Sequence, residues 1–207
     1  MQKYRPKHFG DNIIQNHNKR RPAMFKRKIL KKLEAWKKSN LRKPLILRGA
    51  RQVGKTTIVN EFGLQYDNYL YFNMEKSENV KLFEMEIPLD DLVTTLFASV
   101  GKTQKPGQTL IFIDEIQNSP KTIALLRYFY EQRPDLHVIA AGSLLENLID
   151  VKVSFPVGRV QYLALRPCSF YEFLGATGKN NLLAVLNGNP EISTAFHDQL
   201  MHWFNLY

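Results

Sequence analysis

The sequence is poor in cysteine, because Cys168 is the single one among its 207 residues. One cysteine excludes an internal disulfide and a cysteine-based metal cluster. Long apolar runs are also lacking: no window approaches the roughly 20 apolar residues of a membrane helix. The charged start "MQKYRPKHFG" is not followed by the apolar run of a secretory signal. These absences predict a cytoplasmic protein with no transmembrane segment.

Acidic residues are scarce in the first fifth of the chain. Residues 1–43 hold 15 Lys and Arg against two acids, Asp11 and Glu34, whereas the remaining 164 residues hold 14 bases and 17 acids. Residues 1–21 show no periodicity and are expected to form a basic flexible arm. Such a segment can contact nucleic acid, an anionic membrane surface or an acidic partner. The alternative is a solvated arm and helix face with no partner.

Apolar spacing predicts an α/β fold. Apolar residues recur at helical spacing between Met24 and Trp36, so we expect a basic amphipathic helix over residues 23–38. From residue 44 to residue 166, five apolar strands alternate with helical stretches, which favours a parallel sheet. Ser119 followed by Pro120 is typical of a helix start. The expected fold is a three-layer α/β domain with a five-stranded parallel sheet.

Residues 49–56, "GARQVGKT", match the phosphate-binding pattern G-x-x-x-x-G-K-[ST] between an apolar strand and a helix. Glycines let the loop turn its backbone N–H groups toward phosphate oxygens, and the following helix adds its positive end. Lys55 is expected to reach the β- and γ-phosphates, and Thr56 to hold Mg²⁺. The residues expected to contact the nucleotide are Gly49, Gln52, Val53, Gly54, Lys55, Thr56 and Thr57.

Two carboxylates follow the apolar run of "LIFIDEIQ". Asp114 at the end of a buried strand is expected to hold Mg²⁺ together with Thr56. Glu115 is expected to orient and deprotonate the attacking water. The alternative is that Glu115 is only a surface acid at a strand end. Glu75, after the strand "YLYFNM", is a weaker candidate for the site.

The end of the fourth strand and the segment before the fifth supply one further candidate each, Ser143 and Arg159. Ser143 is expected near the γ-phosphate, because ligands of parallel sheets lie at the carboxyl ends of strands. Arg159 is a candidate for stabilising charge on the transferring phosphoryl group, in cis or from a neighbouring subunit. The alternative for Ser143 is a turn serine at a strand end, and the alternative for Arg159 is a structural salt bridge. Arg51 and Arg166 are rival candidates for the arginine that stabilises the phosphoryl group.

Several motifs occur in a specific order, namely "LRGARQVGKTT", "YLYFNME", "LIFIDEIQNSP", "VIAAGS", "VGRV" and "LRPCSFYEFL". In this order they resemble the AAA domain 14 family of prokaryotic ATPases, over about residues 22–175. The resemblance implies an AAA+-type P-loop NTPase core with Ser143 as sensor and Arg159 as arginine finger. Ala141 stands where the family commonly has threonine, and Pro167-Cys168 replaces its usual proline-leucine.

The resemblance also implies a domain organisation. Residues 22–175 are expected to be the ATPase domain, and residues 176–207 the start of a helical lid or second domain that is apparently truncated. The predicted function is Mg²⁺-dependent hydrolysis of ATP, with a homo-oligomer required if the arginine acts in trans. The alternative is a nucleotide-gated switch or a nucleic-acid-binding module with little hydrolysis. A nucleotide-dependent kinase is a weaker alternative.

Overall fold

Five strands form one sheet in which every neighbouring pair is parallel. The structure is a computed structural model that describes residues 27–104, 108–143, 156–188 and 193–207. The predicted arm, residues 1–21, lies outside the described residues. The strands are β1 (Leu45–Arg48), β2 (Asn68–Asn73), β3 (Thr109–Asp114), β4 (His137–Gly142) and β5 (Gln161–Ala164). The predicted five-stranded parallel sheet is confirmed.

The strand order in space is β2-β3-β4-β1-β5. The strand β4 therefore separates β1, which leads into the phosphate-binding pattern, from β3, which ends at Asp114. Parallel pairing places Arg48 of β1 beside Gly142 of β4, and Asn73 of β2 beside Asp114. The residues that directly follow β1, β3 and β4 consequently lie together at the carboxyl ends of the strands, where ligands of parallel sheets bind.

The sheet is buried on both faces, so its central strands are apolar at every position. Successive side chains of a strand point to opposite faces. In β3, Ile111 and Ile113 accordingly belong to one apolar cluster, and Leu110 and Phe112 to the other. Helices cover both faces, which gives the three layers that the alternation of strands and helices predicts.

Two helices cover one face and three cover the other. In the order of the chain, with the last three lying beyond the sheet, the helices are α1 (Ile29–Lys38), α2 (Lys55–Gly63), α3 (Ser77–Phe83), α4 (Leu89–Ser99), α5 (Pro120–Gln132), α6 (Phe170–Ala176), α7 (Asn180–Gly188) and α8 (Thr194–Leu206). The helices α1 and α2 pack on one face, and α3, α4 and α5 on the opposite face.

The helix α1 begins later than its apolar spacing predicts. The predicted start at residue 23 is wrong for Arg27 and Lys28, which precede the helix, and residues 23–26 lie outside the described part. The backbone N–H of Lys28 donates to the Glu172 carboxylate at 2.7 Å. This contact with a distant segment lies directly before the start of α1, and the sequence of α1 alone carries no sign of it.

The start of α5 follows the local rule that predicted it. Pro120 is the first helical residue, and the Ser119 side chain accepts a hydrogen bond from the backbone N–H of Thr122 at 3.3 Å. A hydroxyl in this position satisfies one of the N–H groups that the first turn leaves without an intrahelical partner. The cap sets the end of the short segment between β3 and α5, which carries Glu115.

The helices α6, α7 and α8 share a small apolar cluster of their own, built around Leu174, Leu182 and Leu200. The helix α6 begins with a capping box in which Ser169 and Glu172 exchange hydrogen bonds. Packing thus groups α6 with the two helices that follow it. The boundary between residues 175 and 176 stays a prediction.

Each helix that the structure describes is too short or too polar to cross a lipid bilayer.

Candidate functional site

The loop after β1 is shaped by two glycines with different tasks. A Cβ atom on Gly49 would lie 2.4 Å from the carbonyl oxygen of Leu165, so no larger residue fits there. Gly54 has a φ of 90° immediately before α2, a conformation that glycine adopts without cost. Gln52 also has a positive φ, 63°. The loop therefore turns tightly and places the amino-terminal end of α2 at the carboxyl ends of the strands.

The ammonium group of Lys55 folds back over this loop. Its Nζ atom donates to the carbonyl oxygens of Gly49 and Ala50, each at 2.8 Å. Burial lowers the pKa of Lys55, and the carboxylates of Glu115 and Asp114 oppose part of that shift. The loop thus holds a cation at the amino-terminal end of α2, where anions bind favourably.

Thr56 and Asp114 meet although 58 residues separate them in the chain. The Thr56 hydroxyl donates to Asp114 Oδ2 at 2.7 Å, and the Tyr71 hydroxyl donates to the same oxygen at 3.3 Å. Burial raises the pKa of the Asp114 carboxyl, and the hydrogen bond from Thr56 opposes that shift. A hydroxyl and a carboxylate are oxygen ligands of the kind that Mg²⁺ prefers, so this pair fits the predicted metal.

Glu115 occupies a strained position directly after β3. Its φ is 51°, in the left-handed region that residues other than glycine seldom adopt. Its backbone N–H donates to Asp114 Oδ1 at 3.1 Å, and Gln117 Nε2 donates to its Oε2 atom at 2.5 Å. This backbone conformation turns the chain at the end of the strand, so the Glu115 carboxylate lies beside the loop that carries Lys55.

One cavity of about 570 Å³ brings the loop and the end of β3 together. Its lining residues are Arg51, Gln52, Gly54, Lys55, Thr56, Thr57, Glu75, Glu115, Gln117 and Asn118. The structure thus gathers most of the predicted site residues, together with the weaker candidates Arg51 and Glu75. Gln117 and Asn118 were missed, because a glutamine and an asparagine after a strand end follow no pattern that is read from sequence.

Three predicted residues stand behind this lining. Asp114 is 2% exposed, below Thr56. Gly49 contributes its carbonyl oxygen to Lys55. Val53 packs against the apolar cluster of α1 and α2. These residues support the cavity wall, and direct contact of Gly49 and Val53 with a nucleotide stays a prediction.

Ser143 lies at the end of β4, between the ends of β1 and β3. Its Oγ atom is buried and has no hydrogen-bond partner among the residues that the structure describes. Its position agrees with a sensing function, which stays a prediction.

The sequence matches the AAA domain family AAA_14 over residues 41–174, well over half of the chain. The chain belongs to the AAA domain 14 family. The matched range runs from the residues before β1 into α6, so it contains the whole sheet and the cavity.

The fold of this AAA domain is also that of a solved structure of Drosophila ORC bound to DNA. The TM-score is 0.50 at 15% identity, over 76% of this chain and 48% of that chain. At this identity the likeness shows the fold alone, a three-layer α/β fold. This chain spans about half the length of the matched ORC chain. No curated protein matches the sequence at a significant level.

Arg159 does not reach the cavity of its own AAA domain. It lies in the turn before β5, whereas the phosphate-binding loop follows β1, which is parallel to β5. The turn contacts the residues before β1, since Lys43 Nζ donates to the carbonyl oxygen of Gly158. Arg159 forms an ion pair with Glu131 of α5. Parallel pairing therefore places Arg159 near the amino ends of β1 and β5, whereas the cavity lies at the carboxyl ends of the strands. This placement does not favour action in cis, and the catalytic function of Arg159 stays a prediction.

The rival arginines, Arg51 and Arg166, follow β1 and β5 and so lie at the carboxyl ends of the strands, as the cavity does. Arg51 is an exposed part of the cavity lining. Arg166 follows β5, and its side chain is exposed. Neither forms an ion pair that the structure describes within this AAA domain.

Arg27 connects three segments of the AAA domain, and the sequence did not predict this. Its guanidinium donates to the carbonyl oxygen of Val53 at 3.2 Å and to that of Arg166 at 2.6 Å. It also forms an ion pair with Glu172 at 3.3 Å. The phosphate-binding loop is thereby tied to the start of α6. Within a basic segment, one arginine with three structural contacts cannot be told from its neighbours.

Proposed function

We propose that this AAA domain binds ATP with Mg²⁺ and hydrolyses it to ADP and phosphate. The observation that carries the proposal is the 2.7 Å contact between Thr56 and Asp114, in a site where Lys55 and Glu115 line the same cavity. A protein that only grips a nucleotide needs the cation and the loop. A carboxylate beside them supplies the base that hydrolysis requires.

Each residue has a distinct task in this proposal. The ammonium of Lys55 exchanges its loop carbonyls for phosphate oxygens and neutralises part of their charge. Thr56 and Asp114 hold Mg²⁺, which supplies charge neutralisation on the phosphates when it is bound. Glu115 orients the attacking water and accepts its proton. Ser143 gains a hydrogen-bond partner at the end of β4 and so reports which nucleotide is bound.

The proposal assigns Arg159 to a neighbouring subunit. Within one chain Arg159 lies at the amino ends of the strands, away from the cavity. Its side chain is 41% exposed and is able to exchange Glu131 for another anion. An arginine supplied in trans is an established way to stabilise the charge of a transferring phosphoryl group. This AAA domain would then act as a homo-oligomer. A cytoplasmic location stays a prediction from the sequence.

Phosphate release measured against protein concentration tests hydrolysis and the trans arginine together. We expect the rate per chain to rise with concentration, and Arg159→Ala to remove that rise. Arg127→Ala is the matched control, since Arg127 pairs with the same Glu131 carboxylate. No release at any concentration would contradict the hydrolase and favour a switch. A concentration-independent rate in the parent protein would contradict only the trans arginine.

A second candidate function is nucleic-acid binding, and the surface of α1 favours it. The lysines Lys28, Lys31, Lys32 and Lys38 are exposed, while α1 holds a single acid, Glu34. The helix lies within the basic segment of residues 1–43. The solved ORC structure is bound to DNA, which supports the same proposal for this chain. Lysine side chains on one helix contact phosphates without reading the base sequence.

Salt dependence of binding to a labelled DNA duplex tests this candidate. We expect Lys31→Glu with Lys32→Glu to weaken binding and to make the slope of log affinity against log salt shallower by about two, because each phosphate contact contributes about one. Deletion of residues 1–21 should weaken binding further. Lys76→Glu with Lys81→Glu makes the same charge change at and directly before α3, beyond the opposite face of the sheet, and should have a smaller effect. Affinity that ignores salt and both α1 substitutions would contradict nucleic-acid binding.

A further inference from the structure

Gln117 holds the Glu115 carboxylate through a hydrogen bond within a very short segment. Its Nε2 atom donates to Glu115 Oε2 at 2.5 Å, and both side chains line the cavity. Residues two apart in a regular helix do not face each other. Here the left-handed conformation of Glu115 reverses the chain before the 3₁₀ turn Ile116–Asn118, which brings the two side chains together.

The segment that carries this pair is firmly anchored. Ile116, between the two residues, is fully buried in the apolar cluster beneath α3, α4 and α5. The backbone N–H of Asn118 donates to the carbonyl oxygen of Glu115 at 3.1 Å, and that of Ser119 to Ile116 at 3.0 Å. The end of β4 packs against the same turn. The position of Gln117 relative to Glu115 is therefore set by the fold.

The arrangement carries one backbone cost, the positive φ of Glu115. Backbone strain of this kind is common at functional sites. The Gln117 amide has one orientation in this contact, because its oxygen, if turned over, would meet the carboxylate oxygen of Glu115.

We propose that Gln117 is a positioning residue for the reaction at Glu115, an inference that rests on the proposed hydrolysis of ATP. The amide occupies Oε2 and leaves Oε1 of the carboxylate to the attacking water. The water gives one proton to Oε1 while its oxygen bonds to the γ-phosphorus. The bond to the bridging oxygen breaks, and its electron pair leaves with ADP. A base held by a third group is the arrangement that activated nucleophiles generally require.

The substitution Gln117→Met tests this, because methionine keeps the approximate size of the side chain and removes both polar atoms. We expect kcat to fall by roughly 10- to 100-fold, by analogy with the loss of a partner that orients a metal ligand. KM, the dissociation constant of Mg-ATP and the melting temperature should stay near those of the parent protein. Gln132→Met, at the exposed end of α5, is the matched control and should leave all four unchanged.

A double-mutant cycle separates positioning from an independent effect. If Gln117 acts through Glu115, then Gln117→Met should cause no further loss of kcat in a protein that already carries Glu115→Gln. A second full loss would show that Gln117 acts by another route and would overturn the proposal. In the nucleotide-free protein, Glu115→Ala should also shift the side-chain amide resonances of Gln117, which are identified by their absence in Gln117→Met.

Several outcomes would overturn the inference while leaving the hydrolase intact. They are a parent-like kcat in Gln117→Met, a rise in kcat, or a loss that appears in KM and the melting temperature instead. A rise would mean that Gln117 restrains Glu115. Absence of hydrolysis in the parent protein is a different result, which would refute the proposed function itself and the inference with it.

Discussion

Replacing Lys55 with alanine is expected to lower the affinity for Mg-ATP by roughly 100-fold or more. A hydrogen bond to a charged group contributes about 1.5–3 kcal/mol, and the ammonium is placed to form two of them. Its Nζ atom already binds two carbonyl oxygens at 2.8 Å, those of Gly49 and Ala50. Phosphate oxygens would take the place of these neutral acceptors with the added attraction of opposite charge. Isothermal titration calorimetry with a non-hydrolysable ATP analogue measures the change.

The same substitution also affects the nucleotide-free protein, so folding has to be followed separately. Lys55→Ala leaves two loop carbonyl oxygens without their donor, and a modest decrease in melting temperature is expected. Lys121→Ala, at an exposed position of α5, removes the same charge away from the cavity and should leave affinity unchanged. If Lys55→Ala binds the analogue as tightly as the parent protein, the loop does not hold phosphates and the proposed site is wrong.

Glu115→Gln is expected to bind Mg-ATP normally and to lose turnover by about 10²- to 10⁴-fold, the usual contribution of a general base. An amide has nearly the same shape as the carboxylate but cannot accept the proton of water. The new side-chain oxygen can still accept the hydrogen bond from Gln117, so the turn should keep its structure. Phosphate release together with a binding titration separates the two parts of the prediction.

Glu75 provides the sharpest comparison for this base. It lines the same cavity, but the Asn73 side chain holds it by hydrogen bonds at its carboxylate and its backbone N–H. Loss of turnover in Glu75→Gln, together with parent-like turnover in Glu115→Gln, would identify Glu75 as the general base instead of Glu115. Glu34→Gln removes an exposed acid on α1 and serves as the control for a general effect of charge. Parent-like turnover in Glu115→Gln would refute the base assignment by itself.

Local patterns predicted most of the fold because each of them acts over a few residues. A strand that is buried on both faces must be apolar at every position, and "TLIFID" is fully buried as β3. Ser119 followed by Pro120 predicted a helix start, and α5 begins at Pro120. The predicted start of α1 was wrong for Arg27 and Lys28. Lys28 instead contacts a carboxylate of α6, and no local pattern reports a contact at that distance.

The candidate site divides in the same way. The loop with Lys55 and the strand end with Asp114 and Glu115 follow patterns in which chemistry requires certain residues at a set spacing. Arg159 was assigned to the site because it lies in the motif "VGRV" before the fifth strand and because the family resemblance implies an arginine finger there. Distance along the chain does not tell whether a residue lies at the amino or the carboxyl ends of the strands. The parallel pairing of β1 with β5 puts Arg159 at the amino ends.

The sequence by itself determined the three-layer α/β class, the phosphate-binding loop and the two carboxylates, because burial periodicity and ligand chemistry are written in neighbouring residues. The tertiary structure alone decided that Arg27 ties the loop to α6, that Arg159 faces away from the cavity, and that Gln117 holds Glu115. The first two depend on how distant segments pack and on strand order, and the third depends on one left-handed residue. The spacing of neighbouring residues reports neither long-range packing nor a left-handed backbone, so the sequence alone does not predict them.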